Sequence, residues 1–421
     1  MARNVDKGRT SWRPWSLREL TGALAAGTTT PAEALDRAWA RIADTERELR
    51  AWVQPYLRDP EPVTGPLGGV PLGVKDIIDM VGLRTRCGSA LRADAEPATV
   101  DAPILTAWRR AGATPIGKTV TAEFACFAPG PTHNPAAPGH TPGGSSSGSA
   151  AAVAAGHVPL ALGTQTAGSV TRPASFCGVA SLVMTHARFS MDGVSGVSPS
   201  LDSHGVYAAT VDDLALAWSA LMDEPDAGLA EPRPPRLLVW TGAAGPEMAG
   251  ALASARDRLI AAGAVVDDFP ADKLVTELTI AHPVVMEYEA ARERSHELAA
   301  GSALSAQLAR MLRAGAAIPD GAYHAARQTI AEAGREVVEL MEPYDAVLGP
   351  AAPGPAPAGL SSTGDPVMSR PWQTLGLPAV TVPGARGPAG LPLGLQLVGR
   401  TWREADLLAT GCWVETALSA P

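Results

Sequence analysis

Cysteine is scarce in this chain and its positions carry no pattern. Four cysteines occur among 421 residues, and no two of them stand at a CxxC or Cys/His spacing that would hold a metal ion. The eight histidines contain no HExxH pattern either. A disulfide scaffold and a metal site are therefore not expected, and the cysteines are interpreted as buried thiols in a reducing compartment.

Long apolar runs and an excess of positive charge are missing as well. No apolar run reaches the roughly 18 residues of a transmembrane helix, and residues 1–20 lack the apolar core of a signal peptide. The net charge is −9, so a polyanion such as DNA or RNA would be repelled on average. The sequence predicts a cytoplasmic protein without a membrane or nucleic-acid partner.

Short apolar runs cut by glycine and proline alternate with helix-like segments, which is typical of an α/β protein. Two helices are predicted within 16–56, the second starting at a Thr-x-x-Glu capping box formed by Thr30 and Glu33. A surface linker is predicted at 223–236, and strands return at 345–349 and 379–398.

Lys75 is conspicuous because lysine is rare here. Thirty of the 34 basic residues are arginines, and Lys75 lies in the strand-like run VPLGVKDII at 70–78. Burial in such a run removes the hydration of the charged amine, so the pKa of Lys75 should fall toward that of a general base. The alternative is an ion pair with Asp76 or Asp79, and the position alone does not decide between the two.

Two loops of small residues follow Lys75 in the chain. Residues 143–149 read GGSSSGS and lead into a predicted helix, so the loop offers free N–H groups and hydroxyls that suit an oxyanion. Residues 162–173 read LGTQTAGSVTRP, where small residues before Ser169 let the backbone approach a substrate. Taken singly, the loops could equally be a flexible linker and an ordinary turn.

Together the three segments resemble the amidase signature family. That family has a lysine in GVPxxVKD, a serine in GGSSxGSAAAVAAG and a second serine in GTQTxGSxxRPAxFCG. In this chain these residues are Lys75, Ser145 and Ser169, with the two serines separated as in the family. The resemblance extends to SLD at 200–202 and to PLGLQLVGR at 392–400.

The resemblance implies an α/β fold in a single amidase-signature-type domain over 1–421, with a mixed central sheet surrounded by helices. The signature core would span 60–215. A mostly helical region at 223–340 would cap or flank the site, and 341–421 would return to the core.

The resemblance also implies a Ser–cisSer–Lys triad. Ser169 would attack the amide carbonyl and form an acyl-enzyme, while Ser145, after a cis peptide bond, would relay the proton to Lys75. An uncharged lysine can serve as the base for a serine nucleophile, so no cofactor or metal is expected. The oxyanion hole would be formed by the backbone N–H groups of Thr166, Ala167, Gly168 and Ser169.

Gln165 and Arg172 are further candidates for substrate binding. Because Gln165 is neutral, Arg172 is free to meet a carboxylate or carbonyl of the substrate. The alternative for Arg172 is a structural role, in which it binds carbonyl groups of nearby loops. The chain departs from the family at 180–185, where ASLVMT replaces the GxKPT turn and is expected to reshape the pocket, and a segment at 361–372 is expected to bring Asp365 and Trp372 near the site.

Two other motif matches are rejected. Residues 112–119 fit the phosphate-loop pattern GxxxxGK[ST], but they follow a helix-like segment rather than a strand. Gly112 is better interpreted as the residue that ends that helix. Residues 144–148 fit GxSxG without the apolar strand that a nucleophile elbow needs.

The predicted reaction is hydrolysis of a small linear amide. The expected partner is the substrate itself, with a homodimer as the candidate assembly. Two alternatives use the same residues: transfer of the acyl group to another nucleophile, which would form an amide or ester, and a glutaminase-type subunit of an amidotransferase. A non-catalytic scaffold is a third alternative, against which the intact Lys75, Ser145 and Ser169 argue.

Overall fold

The computed structural model describes residues 12–53, 64–126, 128–229, 233–300 and 303–419. Part of the helical prediction at 16–56, part of the linker at 223–236 and the start of the chain lie outside these ranges. Among the described helices, none combines the length and apolar character needed to span a bilayer.

The described strands form one mixed eleven-stranded sheet in the order β1-β3-β2-β4-β6-β5-β10-β11-β9-β7-β8. The strands are β1 (Trp52–Val53), β2 (Pro71–Lys75), β3 (Thr114–Thr119), β4 (Leu160–Gln165), β5 (Ala180–Val183), β6 (Ser203–Ala208), β7 (Arg236–Val239), β8 (Val265–Asp268), β9 (Ala346–Pro350), β10 (Ala379–Arg386) and β11 (Pro392–Val398).

Thirteen α-helices accompany the sheet in the described residues. They are α1 (Leu17–Ala25), α2 (Pro31–Leu49), α3 (Pro103–Arg110), α4 (Ser147–Ala154), α5 (Thr171–Cys177), α6 (Val211–Met222), α7 (Pro246–Ala261), α8 (Asp272–Glu293), α9 (Ser295–Ala299), α10 (Ala306–Ala316), α11 (Asp320–Met341), α12 (Arg370–Thr374) and α13 (Glu404–Ser419). The prediction of an α/β fold with a mixed sheet surrounded by helices is confirmed.

Two blocks of parallel strands flank an antiparallel centre. β3, β2 and β4 are parallel neighbours, as are β9, β7 and β8, and the strands between β4 and β9 pair antiparallel. The predicted helical region 223–340 thus also supplies two strands, β7 and β8, to one edge of the sheet. Because β2 and β4 are parallel, their carboxyl ends meet at the same edge, which is where the motif residues lie.

Local signals in the sequence place several element ends correctly. The Thr30 side chain accepts a hydrogen bond from the Glu33 N–H while the Glu33 carboxylate accepts one from the Thr30 N–H, which is the predicted capping box at α2. Gly112 follows α3 with φ +102°, and the residues after it form β3. The phosphate-loop pattern therefore runs into a strand instead of a helix, which confirms its rejection.

Helix α4 is buried on every side, and its small side chains allow this. All eight residues from Ser147 to Ala154 are buried. A Cβ on Gly148 would lie 2.3 Å from both the carbonyl oxygen of Ala51 and the backbone nitrogen of Val120. The glycine therefore lets α4 pack directly against the backbone beside β3, and this contact holds the preceding Gly/Ser loop against the sheet.

Replacing Gly148 by alanine is expected to destabilise the fold by about 2 kcal/mol or more, since backbone atoms must move to admit the methyl group. The matched control is Gly250→Ala in α7, where a Cβ meets nothing within 4 Å. That change should stabilise the protein by up to about 1 kcal/mol, because alanine favours a helix interior. Denaturant titrations of both variants check the pair, and equal effects would contradict the packing role of Gly148.

Candidate active site

Three segments of the signature region converge at the edge of the sheet where β2 and β4 end. Lys75 is the last residue of β2, and residues 166–169 follow directly after β4. The Gly/Ser loop leads into α4 beside them, and its Gly144–Ser145 peptide bond is cis, as the resemblance implied. The site is thus built at the carboxyl ends of two neighbouring parallel strands.

The Lys75 amine is completely buried, and its hydrogen-bond partners among the described residues are neutral groups. Its Nζ lies 2.8 Å from Ser145 Oγ, 2.8 Å from Thr164 Oγ1 and 3.3 Å from the Thr164 carbonyl oxygen. The relative exposure of Lys75 is 0%. Among the described residues no carboxylate forms an ion pair with this amine.

Burial lowers the pKa of Lys75 to about 7, and the negative charge of Asp202 opposes this shift. The two carboxylates next to Lys75 in sequence are engaged elsewhere. Asp76 forms a buried ion pair with Lys118 at 3.2 Å, and Asp79 accepts a hydrogen bond from Thr85 Oγ1 at 2.6 Å. Of the two interpretations that the sequence left open, the structure therefore places Lys75 in the desolvated environment.

Ser145 and Ser169 line the same cavity, together with Thr166 and Ala167. Ser169 sits between β4 and α5, and its own carbonyl oxygen accepts hydrogen bonds from Ser146 N and Tyr207 Oη. Among the described residues, none of the backbone N–H groups from 166 to 169 donates a hydrogen bond to protein. Four unpaired donors beside one serine form an arrangement able to bind an oxygen anion.

Gln165 does not line this cavity. Its Oε1 accepts hydrogen bonds from the N–H groups of Val170 and Thr171, and its Nε2 donates to Gln373 Oε1 at 3.0 Å. The side chain thus holds the turn that carries Ser169, so its contribution to the site is the shape of the loop.

Arg172 does line the cavity, and it also binds loop carbonyls. Its Nε donates to the Thr363 carbonyl oxygen at 2.6 Å and its Nη2 donates to the Gly144 carbonyl oxygen at 2.5 Å. Its Nη1 is buried and has no partner among the described residues. Burial lowers the pKa of Arg172 to about 10, which leaves the guanidinium charged at neutral pH.

Asp202, from the SLD segment, anchors two walls of the site. Its Oδ1 accepts a hydrogen bond from Thr166 Oγ1 at 2.5 Å, and its Oδ2 accepts from the N–H groups of Val197 and Ser198. Burial raises the pKa of the Asp202 carboxyl, and these three donors together with the Lys75 charge oppose that shift. The sequence marked this segment only by resemblance and did not assign the role of Asp202.

Helix α8, which belongs to the region 223–340 that was expected to cap or flank the site, forms another wall, and its contributing residues were not predicted. His282 Nε2 lies 2.8 Å from the Thr166 carbonyl oxygen, and Met286, one helical turn later, lines the cavity. Glu289 continues the same face and accepts hydrogen bonds from the hydroxyls of Ser198 and Ser200. The only signal in the sequence was the helical spacing of these residues, which is indistinguishable from ordinary core packing.

The cavity is small and partly open to solvent. Its volume is about 20 Å³, roughly the room that one water molecule needs. Its apolar wall includes Val197, Met286 and Pro366, and Arg172 is the only charged residue in its described lining.

The sequence placed Asp365 and Trp372 near the site and expected the segment 180–185 to reshape the pocket; Asp365 and Trp372 do not line the cavity. Trp372 is 2% exposed and packs edge-on against Trp240 and Phe269, so it belongs to the core and not to the cavity lining. Asp365 is exposed, although its neighbours Thr363 and Pro366 do line the cavity. The altered segment 180–185 contributes β5, a buried strand in the middle of the sheet, because its short run of apolar residues suits a strand that is covered on both faces.

The described residues contain no cluster of three or more histidine, cysteine, aspartate or glutamate side chains that could hold a metal ion.

A larger cavity of about 690 Å³ lies away from the site, where Leu407 and Trp413 of α13 face Gly228 and Arg233. The chain between the latter two residues includes positions outside the described ranges, so the cavity carries no argument about function.

Comparison with known proteins agrees with the resemblance seen in the sequence. The family model described as Amidase matches residues 37–408. A glutamyl-tRNA(Gln) amidotransferase subunit of Lachnospira eligens is 30% identical, over 95% of this chain and 97% of that protein.

Two solved structures extend the likeness to the fold. A crystal structure of an amidase superposes with a TM-score of 0.84 at 29% identity, over 96% of this chain and 99% of the other. A protein from a vestigial complex, studied for the evolutionary origins of an s-triazine catabolic enzyme, superposes with a TM-score of 0.86 at 26% identity, over 96% and 98% of the two chains. Because the family model matches most of the chain and the geometry at the ends of β2 and β4 agrees with it, this chain belongs to the Amidase family.

Proposed function

We propose that the protein hydrolyses a small linear amide through an acyl-enzyme on Ser169. The observation that carries this proposal is the 2.8 Å contact between Ser145 Oγ and the fully buried Lys75 amine. A pKa of about 7 leaves a substantial fraction of that amine uncharged at neutral pH, where it can accept a proton.

In the proposed reaction the Ser169 oxygen bonds to the carbonyl carbon as its proton passes to Ser145 and the Ser145 proton passes to Lys75. The oxyanion that forms is bound by N–H groups of Thr166, Ala167, Gly168 and Ser169. The carbon–nitrogen bond then breaks, and the proton held on Lys75 returns through Ser145 to the leaving nitrogen. Water attacks the ester by the same route, which regenerates Ser169 and releases the acid.

The positive charge of Arg172 in the cavity lining limits which substrates we propose. Arg172 Nη1 is buried, unpaired among the described residues and next to Gly168, so a carboxylate or carbonyl on the acyl side of the amide would satisfy it. We therefore propose an amide whose acyl group carries an acceptor of this kind. Gln165 supports this site indirectly, through the turn that it holds.

A glutaminase-type subunit is the second candidate, favoured by the name of the Lachnospira eligens relative. Glutamine carries an ammonium group as well as a carboxylate, and the described lining of the cavity contains no carboxylate to bind the ammonium. Assay of the purified chain for release of ammonia from glutamine separates the two functions. Acyl transfer to another nucleophile is distinguished by adding hydroxylamine and measuring hydroxamate against acid.

Ser169→Ala should abolish both activity and covalent labelling by a fluorophosphonate, because the nucleophilic oxygen is removed. Ser145→Ala and Lys75→Met should lower the labelling rate by several orders of magnitude, since the proton then has no acceptor. The control is Ser147→Ala, because the Ser147 hydroxyl donates one long hydrogen bond within the described residues, to the Val120 carbonyl oxygen at 3.4 Å. Mass spectrometry locates the label, and labelling at a residue other than Ser169 would refute the assignment.

The pH dependence of kcat/KM should report the Lys75 amine. The uncharged form is the base, so kcat/KM should fall about tenfold per pH unit below pH 7 and level off above it. Because the Asp202 charge raises the pKa of Lys75, Asp202→Asn should move this limb to lower pH. Two results would argue against Lys75 as the base: a wild-type kcat/KM that does not fall below pH 7, or an Asp202→Asn profile that falls at the same pH as the wild type.

The role of Arg172 can be tested with two matched amides, succinamate and butyramide, which differ by a carboxylate in place of a methyl group. A charge-assisted hydrogen bond to Arg172 should favour succinamate in kcat/KM by about tenfold or more. Arg172→Lys keeps the positive charge but loses the planar guanidinium group, so the preference for succinamate over butyramide should become smaller. Equal rates for the two amides in the wild type would leave Arg172 with a purely structural role.

A further inference from the structure

His282 lies outside the signature segments, yet it contacts the loop that carries the proposed nucleophile. It is 0% exposed on α8, and its Nε2 is 2.8 Å from the carbonyl oxygen of Thr166. A carbonyl oxygen only accepts hydrogen bonds, so Nε2 must carry the proton in this contact. The contact therefore defines one tautomer of the imidazole ring.

The ring is also held in its neutral form. Burial lowers the pKa of His282 to about 4, and its Nδ1 is buried without a partner among the described residues. At neutral pH the side chain is thus an uncharged donor at Nε2 with an unused lone pair at Nδ1. Such a group is not a proton shuttle for the reaction, because neither nitrogen contacts Ser145, Ser169 or Lys75 among the described residues.

The hydrogen bond fixes the orientation of the peptide unit between Thr166 and Ala167. In a planar trans peptide the C=O and the N–H point in opposite directions. With the Thr166 carbonyl directed toward α8, the Ala167 N–H is directed away from α8. That N–H has no protein partner among the described residues, and Ala167 lines the cavity beside Ser169.

Thr166 is restrained at a second point, since its hydroxyl donates to Asp202 at 2.5 Å. One residue of the loop is therefore held by its side chain and by its carbonyl oxygen, from two distant parts of the chain. A donor that is already oriented need not reorganise when charge develops on the substrate oxygen.

We propose that His282 is a positioning residue that orients the Ala167 N–H toward the oxyanion of the reaction. This role rests on the proposed acyl-enzyme mechanism. It gives the helical region a part in catalysis, because α8 contributes the side chain that aims a backbone donor of the signature core.

The test compares His282→Ala with His282→Gln. The glutamine amide can place an N–H near the position of Nε2, whereas alanine leaves the Thr166 carbonyl without its donor. Direct loss of one oxyanion donor typically costs about 10²–10³ in kcat, so the indirect loss in His282→Ala should be roughly ten- to a hundredfold. KM should change little, the fluorophosphonate labelling rate should fall in parallel with kcat, and His282→Gln should recover most of both.

His296→Ala is the matched control, since His296 is an exposed histidine on the neighbouring helix α9 and should leave kcat unchanged. A general loss of structure would lower the thermal stability of His282→Ala and His282→Gln alike and reduce their kcat equally. Either that result or a wild-type kcat in His282→Ala would overturn the proposal.

The tautomer is tested separately from catalysis. The ¹⁵N chemical shifts of His282 in the wild type should show a neutral ring protonated at Nε2 between pH 6 and 8. A ring protonated at Nδ1, or a charged ring, would overturn the proposal whatever the activity. If the wild type is neither labelled at Ser169 nor active on amides while the Nε2–H tautomer is present, the proposed function has failed, and the role of His282 fails with it.

Discussion

The site depends on one constraint, the burial of an amine that has no carboxylate partner among the described residues. Lys75 lies at the end of β2 with no access to water, and its partners are two hydroxyls and a carbonyl oxygen. Burying an ammonium ion in such surroundings costs several kcal/mol, so the neutral amine is favoured relative to the charged form. An ion pair with the neighbouring Asp76 would have favoured the charged form of Lys75, but Asp76 is paired with Lys118 instead.

The surrounding structure serves to hold small groups close to that amine. Helix α4 approaches the sheet because Gly148 has no side chain, and this places Ser145 within hydrogen-bond distance of Lys75. Asp202 and His282 restrain Thr166 from opposite ends, while Arg172 ties Gly144 to Thr363. Polar groups in this region are thus mostly satisfied by one another, while Arg172 Nη1, His282 Nδ1 and the N–H groups at 166–169 have no hydrogen-bond partner among the described residues.

Much of the site could be predicted because its parts are local in sequence. A lysine at a strand end, a Gly/Ser loop before a helix and a serine after small residues are each readable within about a dozen residues. The residues that escaped prediction act across long separations: His282 reaches Thr166 over 116 positions, and Gln373 reaches Gln165 over 208. Nothing in the local sequence of α8 distinguishes His282 from a histidine of the helix core, and Trp372 was misplaced for the same reason.

The sequence by itself determined the family pattern, the α/β class, several element boundaries and the identities of the three candidate catalytic residues, because these follow from local spacing and small side chains. Only the tertiary structure decided the environment of Lys75, the dual contacts of Arg172 and the wall formed by α8. Burial and charge pairing depend on which distant segments meet. A lysine beside two aspartates can be ionised or neutral. Burial favours the neutral form of Lys75, Lys118 engages Asp76 in an ion pair, and the Asp202 charge opposes the shift; Lys118 and Asp202 lie 43 and 127 positions away from Lys75 along the chain.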